Sequence, residues 1–341
     1  MHHVADRLQT AIDRSGSIAC VGLDPRPQLV PPAIRERKLA TYGPTAEAVA
    51  AAFVSFNRGI IDAIAGRCPA VKPQAACYEA YGAAGWAALA ETVSYARQAG
   101  LVVIADAKRG DIGSTAAHYR DAFFDHAPGL DDRPVAGLGA DWLTVNPYLG
   151  SDSVGEFLHE VPGTTGVFVL AKTSNPSSGE LQDRRCLPSA DSAAAALEAG
   201  PSAQRPTDDR ATDDRPAGGD PDPDTVAEVV ARLVHHWGRE RVGRRGLSDV
   251  GAVVGATYPA EARRMRTLMP DSIFLVPGYG AQGGGAADAV AGVRPADGGG
   301  LLVSSSRAII GAWREAGDDN WADAAGAALD AMNADLATVR P

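Results

Sequence analysis

The segment DAKRGDI, residues 106–112, places acidic and basic side chains close together directly after an apolar run. If that run is a β-strand, Asp106 and Lys108 point to the same face, because side chains alternate along a strand. Asp111 follows on the next loop, and Lys72 ends the preceding predicted strand. Two ammonium and two carboxylate groups are therefore predicted to meet in one partly buried place, where opposite neighbours keep them ionised. Such a group offers fixed charges and a proton donor for catalysis.

A purely structural role is the alternative for these four charged side chains. They could form an ion-pair network that only fastens the end of the sheet. The cost of desolvating buried charges tends to cancel what their pairing contributes, so four buried charges are a poor device for stability alone.

Lysine is rare in this chain, which makes the position of each lysine informative. The chain has four lysines, and Lys72, Lys108 and Lys172 end predicted strands, whereas Lys38 does not. The carboxyl ends of the strands carry the active site in α/β barrels. Lys172 is predicted either to line the same site or to pair with a neighbouring residue.

Two segments near the end of the sequence favour a phosphate site. Residues 277–285, PGYGAQGGG, follow the seventh predicted strand, and residues 304–307, SSSR, end the eighth and begin a helix. Barrels often hold a phosphate between these two loops, through backbone N–H groups and a helix N-terminus. Glycines let the backbone approach the anion, and Arg307 can bind two of its oxygens.

Apolar segments of strand length alternate with helical segments along the whole chain. Continuous apolar strands of this kind indicate a parallel sheet covered by helices. Eight strand–helix units predict an α/β fold made of a single (β/α)₈ TIM barrel over residues 1–341. An open, doubly wound sheet is the alternative, but it normally has fewer strands and a Gly-rich first turn, which VGLDPRP is not. The predicted strands are 18–25, 70–74, 101–111, 142–150, 166–174, 251–257, 273–280 and 301–307.

Residues 183–222 interrupt this alternation. The segment is rich in Pro, Asp, Arg, Ala and Ser, repeats TDDR, and has almost no large apolar residues to bury. It is therefore predicted to be a low-complexity, disordered insertion after the fifth barrel strand, on the active-site side. A tolerated insertion is the favoured interpretation, and a lid or a partner-binding segment is the alternative.

Bulk composition narrows the class of protein. Hydrophobic residues make up 45% of the chain, and a formal net charge of −10 argues against a nucleic-acid or membrane surface. The four cysteines lack CxxC spacing and the histidines lack metal-ligand spacing, so a reducing compartment and no metal are expected. No apolar run reaches about 18 residues, and the first residues do not resemble a signal peptide, so we expect a cytoplasmic protein.

The segment DAKRGDIGST, residues 106–115, resembles the signature Asp-x-Lys-x-x-Asp-[Ile/Val]-x-x-Thr of the orotidine 5'-monophosphate decarboxylase family. The resemblance extends through almost the whole chain and is to the longer bacterial branch, the type 2 subfamily. The insertion at 183–222 departs from that pattern, because it is longer and more polar than expected there. The other matching segments are VGLDPRP, AVKPQAACYEAYG, TVNPYLGSDS, AKTSNPSSGELQ, VVGATYP and VPGYGAQGG.

The resemblance implies a cofactor-independent lyase that converts orotidine 5'-monophosphate to uridine 5'-monophosphate and CO2, the last step of de novo pyrimidine biosynthesis. It implies that Lys108 gives a proton to C6 and that Asp106 faces the substrate carboxylate, while Lys72 and Asp111 complete the charge network. Loss of CO2 leaves a carbanion on an uncharged ring, so the protein must supply a positive charge and then a proton at that carbon.

The resemblance also implies a homodimer with shared active sites, in which Asp111 acts in the neighbouring subunit. The other residues that it implies in substrate binding are Asp24 at the ribose, Ser174 at the pyrimidine edge, Gln282 and Arg307 at the phosphate, Gly280 beside them, and Ile112 and Thr115 across the interface.

Two rival functions are disfavoured by the same residues. Metal-dependent sugar-phosphate enzymes built on this barrel have a carboxylate in place of Lys72, because they bind Mg²⁺, and an ammonium group there would repel the metal. A catalytically silent nucleotide-binding barrel would not need all four charged residues.

Overall fold

A computed structural model describes residues 2–124, 126–131, 133–186, 223–280, 284–316 and 320–339 of the chain. Its strands are β1 (Ala19–Leu23), β2 (Ala70–Pro73), β3 (Val102–Arg109), β4 (His126–Pro128), β5 (Pro134–Ala136), β6 (Trp142–Val145), β7 (Gly166–Lys172), β8 (Val250–Val254), β9 (Phe274–Val276) and β10 (Leu301–Ser305). Eight of these described strands are parallel and close into a barrel in the order β1-β10-β9-β8-β7-β6-β3-β2. The remaining two, β4 and β5, form an antiparallel hairpin.

The predicted TIM barrel is confirmed, and each barrel strand falls within or next to a predicted segment. Strands such as β1 and β8 are buried along their whole length, as expected for a parallel sheet covered on its outer face and filled inside. The predicted segments extend too far at their carboxyl ends. β6, for example, ends at Val145, and Pro147 follows, which has no N–H to continue the ladder.

Helices connect the barrel strands and cover them on the outside. They are α1 (Val4–Ser15), α2 (Pro32–Tyr42), α3 (Ala46–Ile64), α4 (Ala75–Glu79), α5 (Gly82–Gln98), α6 (Gly113–Phe123), α7 (Ser151–Phe157), α8 (Val226–Gly238), α9 (Pro259–Leu268), α10 (Ala286–Ala289), α11 (Arg307–Ile310), α12 (Trp313–Ala316) and α13 (Trp321–Ala337). The sequence did not lead us to predict α1, α2, α4, α10 or the β4–β5 hairpin. Among the described helices, none has the length and apolar character needed to cross a membrane.

Large aromatic side chains pack tightly between the barrel strands β6, β7 and β8. The rings of Trp142 and Phe168 stack with centroids 4.6 Å apart, and both side chains are completely buried. A Cβ atom on Gly166 would lie 2.4 Å from the Trp142 ring, and one on Gly251 would lie 2.7 Å from the Phe168 ring. Glycine at these two strand positions is therefore required by packing, and the strands are held in one arrangement beneath the site.

Most of the predicted insertion, residues 187–222, lies outside the described residues, so its predicted disorder stays a prediction. Its two ends are described and meet in a short stem. The Cys186 N–H donates to the Asp224 carbonyl at 2.8 Å, and the Val226 N–H donates to the Arg184 carbonyl at 2.9 Å. The predicted insertion starts at Asp183, but the residues from Asp183 to Cys186 belong to this hydrogen-bonded stem.

Candidate active site

The carboxyl ends of the barrel strands surround a cavity of about 720 Å³. Polar and charged side chains from β2, β3, β6 and the loops after β1, β7, β9 and β10 line it. Six residues that the sequence predicts for the site contribute to this lining: Asp24, Lys72, Asp106, Lys108, Ser174 and Arg307. The predicted site is thus assembled from distant parts of the sequence at the end of the barrel where α/β barrels carry their chemistry.

Asp106 is the centre of a compact charge network. The Lys72 Nζ atom lies 2.5 Å from its Oδ2 atom, and the Lys108 Nζ atom lies 2.6 Å from its Oδ1 atom. The Gln74 amide donates to Oδ2 at 3.0 Å, and the Thr144 hydroxyl donates to Oδ1 at 3.0 Å. Each carboxylate oxygen therefore accepts one charged and one neutral hydrogen bond, which fixes the carboxylate in place.

The electrostatics of this network keep its members ionised. Burial by itself raises the pKa of Asp106, but the ammonium groups of Lys72 and Lys108 outweigh it and hold this pKa below the ordinary range of an Asp. Burial by itself lowers the pKa of Lys72, but the carboxylates of Asp106 and Asp24 outweigh it and hold this pKa above the ordinary value of a Lys. Lys72 is consequently cationic and Asp106 anionic throughout the neutral pH range.

The backbone at Lys108 is unusual. Its φ angle is 51°, and it is the only non-glycine residue with a positive φ in the described part of the chain. The register between β3 and β6 shifts between Ala105 and Arg109, where β3 has two more residues than β6, so Lys108 lies in an irregular stretch of the strand that we call the bulge. Bulges and left-handed non-glycine residues cost energy and are concentrated at functional sites. Strand alternation alone therefore does not describe how the lysine reaches the cavity.

Asp111 lies apart from the other three charged residues. Its Oδ1 atom accepts the Ile112 N–H at 2.8 Å, and its carbonyl accepts the Ser153 hydroxyl at 2.6 Å. Asp111, Ile112 and Thr115 do not line the cavity of their own chain. The side chains of Ile112 and Thr115 are exposed. The prediction that four charges meet thus holds for three of them within one chain.

The predicted phosphate residues are divided. Arg307 begins α11 and lines the cavity next to Ser306 and Gly278. Gly280 is exposed and lies outside the cavity lining, with a φ of 72°, and its N–H donates to the Gly284 carbonyl at 2.9 Å. Gln282 falls outside the described residues. The β1 and β10 ends approach closely here, since a Cβ atom on Gly22 would lie 2.6 Å from the Ser306 Cβ atom.

Comparison with known proteins identifies the family to which the chain belongs. The model of the orotidine 5'-phosphate decarboxylase / HUMPS family matches residues 20–214. A protein from Rhodopirellula baltica named orotidine 5'-phosphate decarboxylase is 42% identical over 339 residues, which are 97% of this chain and 98% of that protein. The chain belongs to this family.

Other relatives extend the similarity to the structure. An orotidine 5'-phosphate decarboxylase from Caldicellulosiruptor saccharolyticus is 34% identical over 315 residues, or 92% of this chain and 91% of that protein. The solved structure of Leishmania donovani OMP decarboxylase matches with a TM-score of 0.65 at 31% identity and covers 99% of this chain and 98% of that chain. The family resemblance is thereby confirmed, while the type 2 branch stays a prediction.

Lys172 does not line the cavity, although the sequence left that role open. Its side chain is completely buried and pairs with Asp183 and with Glu261, whose Oε2 atom lies 3.1 Å from Nζ. The ammonium group also lies 4.7 Å from the centre of the Tyr258 ring. Of the two interpretations, pairing with neighbours is the one that the geometry shows.

Several polar residues of the decarboxylase-family site were not predicted from the sequence. Gln74 and Thr144 contact Asp106 directly, and Gln182 lines the cavity and donates to the Thr173 hydroxyl at 2.8 Å. Gln74 could have been found from the sequence, because it is two residues beyond Lys72 on the same predicted strand.

No group of three or more His, Cys, Asp or Glu side chains is arranged to hold a metal ion in the part of the chain that is described.

Proposed function

We propose that this chain decarboxylates orotidine 5'-monophosphate to uridine 5'-monophosphate without a cofactor, with Lys108 as the proton donor. The observation that carries the proposal is the Lys72–Asp106–Lys108 network on the wall of the cavity, where two ammonium groups share one carboxylate. The network therefore carries one more positive than negative charge. That surplus charge can stabilise a carbanion that forms on a ligand in the cavity. Related proteins also support the proposal, because the relatives that align with almost the full length of this chain are named orotidine 5'-phosphate decarboxylase.

The proposed reaction proceeds in two steps. The bond between C6 and the carboxylate carbon breaks, CO2 leaves, and the electron pair remains on C6. A proton from the Lys108 ammonium group then moves to C6, and the resulting neutral amine takes a proton from water. The Lys108 side chain suits this task because it is 46% exposed and lines the cavity while Asp106 anchors its ammonium group at 2.6 Å.

Asp106 has a different part in this scheme. Both of its oxygens are occupied by donors from the protein, so its main task is to hold Lys72 and Lys108 in place. Its negative charge also stands next to the proposed position of the substrate carboxylate. That repulsion opposes the bound substrate and is relieved when CO2 leaves.

Substrate binding is assigned to the rest of the cavity. The Oδ1 atom of Asp24 is buried and has no hydrogen-bond partner among the described residues, so it is available to a ribose hydroxyl. Ser174 is assigned to the pyrimidine edge, and Arg307, together with Gln282, to the phosphate. Phosphate binding far from C6 supplies energy that positions the reacting carbon.

A homodimer with shared sites is part of the proposal. Asp111, Ile112 and Thr115 are assigned to the cavity of the neighbouring subunit, since they do not line their own. The loop that packs beside them, after β6, exposes Tyr148 and Leu149 by 80% and 45%. Exposed apolar side chains next to a functional segment are typical of an interface.

The assay is conversion of orotidine 5'-monophosphate to uridine 5'-monophosphate by the purified chain, with and without exhaustive treatment with EDTA. We expect full turnover in both samples, because Lys72 occupies the place of a metal-binding carboxylate. Activity that disappears with EDTA and returns with Mg²⁺ would contradict the cofactor-independent mechanism, and no conversion in either sample would favour a metal-dependent sugar-phosphate enzyme instead. We also propose a cytoplasmic location, because all four cysteines are free.

A further inference from the structure

One hydroxyl group joins the strained backbone of Lys108 to the charge network. Thr144 lies on β6, next to β3, and is 1% exposed. Its Oγ1 atom accepts the backbone N–H of Lys108 at 2.9 Å and donates its own proton to the Oδ1 atom of Asp106 at 3.0 Å. The same Oδ1 atom accepts the Lys108 ammonium group at 2.6 Å. Thr144 therefore contacts the backbone of the lysine and the anchor of its side chain.

The position of this contact matters because the strand ladder is interrupted there. The register between β3 and β6 shifts between Ala105 and Arg109, and within that interval the Lys108 N–H bonds to the threonine side chain. The φ of 51° at Lys108 is unfavourable for any residue with a Cβ atom. Such a conformation persists only where the surroundings hold it, and the threonine hydroxyl is the acceptor that the Lys108 N–H contacts there.

We propose that Thr144 is a positioning residue for the reaction: it holds the bulge at Lys108 so that the ammonium group reaches C6. The inference rests on the proposed decarboxylation. It assigns Thr144 no contact with substrate and no proton transfer. Displacing a reacting group by about 1 Å can reduce a rate by about 100-fold, so loss of this hydroxyl should act on the chemical step.

Gln74 provides an internal comparison. Its amide donates to the other oxygen of Asp106 at 3.0 Å, and no hydrogen bond joins its side chain to the Lys108 backbone. A variant without the Gln74 amide loses a neutral donor to Asp106 and leaves the bulge contact intact. If Thr144 acted only by stabilising the Asp106 carboxylate, the two positions would be equivalent.

The test compares four variants of the full-length protein: Thr144→Val, Thr144→Ser, Gln74→Met and Thr92→Val. Valine replaces the hydroxyl of Thr144 with a methyl group of similar size, and serine keeps the hydroxyl. Thr92 is a matched control, because it is 1% exposed and its hydroxyl accepts a hydrogen bond from Asn57 at 3.0 Å in the packing between helices, away from the cavity. For each variant kcat, KM and the melting temperature are measured, and crystal structures of the first two give the φ of Lys108.

For Thr144→Val we expect kcat to fall about 10- to 100-fold, with KM changed less than about threefold, because the lost contact positions the proton donor. Thr144→Ser should restore kcat to within about threefold of wild type. Gln74→Met should lose less than Thr144→Val, and Thr92→Val should lower the melting temperature without lowering kcat. In the crystal structure of Thr144→Val, Lys108 should leave the left-handed region.

Three results would overturn the proposal: a wild-type kcat for Thr144→Val, a loss no larger than that of Gln74→Met, or an unchanged φ at Lys108 in Thr144→Val. A wild-type protein that does not decarboxylate orotidine 5'-monophosphate would overturn the proposed function instead. The crystal structures would then still show whether Thr144 holds the bulge.

Discussion

Lys72 and Lys172 are alike in several respects, and the difference between their surroundings is instructive. Each is buried at or near the carboxyl end of a barrel strand and is paired with carboxylates. In both cases burial by itself lowers the pKa, and neighbouring carboxylates outweigh it and raise it above the ordinary value of a Lys. Burial, ion pairing and the direction of the pKa shift therefore do not distinguish the two sites.

The ratio of charges does distinguish them. At Lys72 one carboxylate, that of Asp106, serves two ammonium groups, and the second of these, Lys108, is exposed to the cavity. At Lys172 the ratio is reversed, because one ammonium group contacts both Asp183 and Glu261 and is shielded by an aromatic ring. The first cluster can direct positive charge at a ligand. The second has no surplus positive charge, because two carboxylates neutralise one ammonium group. It attaches the loop after β7 to α9.

The largest effect is expected at Lys108. Replacing it with Ala removes the surplus charge and the proton source, and general acid catalysis alone contributes about 100- to 10,000-fold. We expect nearly all decarboxylation to be lost while uridine 5'-monophosphate still binds in part, as measured by turnover and by calorimetric titration. Lys38→Ala on α2 is the matched control and should keep full activity. Wild-type turnover in Lys108→Ala would refute the assigned role of this cluster.

The second prediction tests whether Asp111 completes the cluster of the neighbouring subunit. Lys108→Ala and Asp111→Ala homodimers should each be nearly inactive. After subunit exchange, random pairing makes about half of the dimers mixed, and each has one intact site of two, so about a quarter of wild-type activity should return. Turnover is measured after mass spectrometry has confirmed exchange. If exchange occurs and no activity returns, Asp111 acts in its own subunit.

The third prediction concerns the cluster around Lys172, which we consider structural. Lys172→Met leaves Asp183 and Glu261 unpaired, but these carboxylates are 48% and 40% exposed and can be hydrated. We therefore expect the free energy of unfolding to fall by about 1–3 kcal/mol, less than the usual cost of breaking a fully buried pair. Turnover of the folded variant should stay within about threefold of wild type.

The pH dependence of this stability follows from the raised pKa of Lys172. A Lys whose pKa is raised on folding contributes its stability fully below the unfolded pKa of about 10.4 and loses it as the pH rises through the folded value. The difference between wild type and Lys172→Met in urea unfolding should therefore be constant between about pH 6 and 9. Turnover that collapses while the unfolding free energy stays the same would show that Lys172 belongs to the active site.

What the sequence could predict was the part that depends on local pattern. Eight apolar strands separated by helices predict the barrel, and the ends of parallel strands in a barrel necessarily meet. The meeting of Lys72, Asp106 and Lys108 therefore follows from the sequence pattern alone, because each lies at or near the carboxyl end of a barrel strand.

The rest depends on contacts between distant segments. The hydroxyl of Thr144 comes from β6, and the partners of Lys172 come from the loop after β7 and from α9, so spacing along the chain does not reveal them. The bulge at Lys108 is a shift between two strands, and hydrophobic alternation within one strand gives no sign of it. Asp111 illustrates another limit, since a residue assigned to the site of a second subunit lies half-buried outside the cavity of its own chain.

The smallest effect is expected from shortening the insertion near the Lys172 cluster. The proposed deletion removes residues 190–218 and closes the gap with a short Gly/Ser linker. It keeps Asp183, the partner of Lys172, and the hydrogen bond of 2.8 Å between Cys186 and Asp224 that brings the two ends together. Because the cost of closing a loop varies only slowly with its length, the melting temperature and kcat should remain close to wild type. Adding Asp183→Ala to this deletion, with the stem kept, is the matched comparison, and it should lower the melting temperature as Lys172→Met does. A large loss of turnover in the shorter deletion, with the fold intact by circular dichroism, would contradict this assignment and give the insertion a part in catalysis.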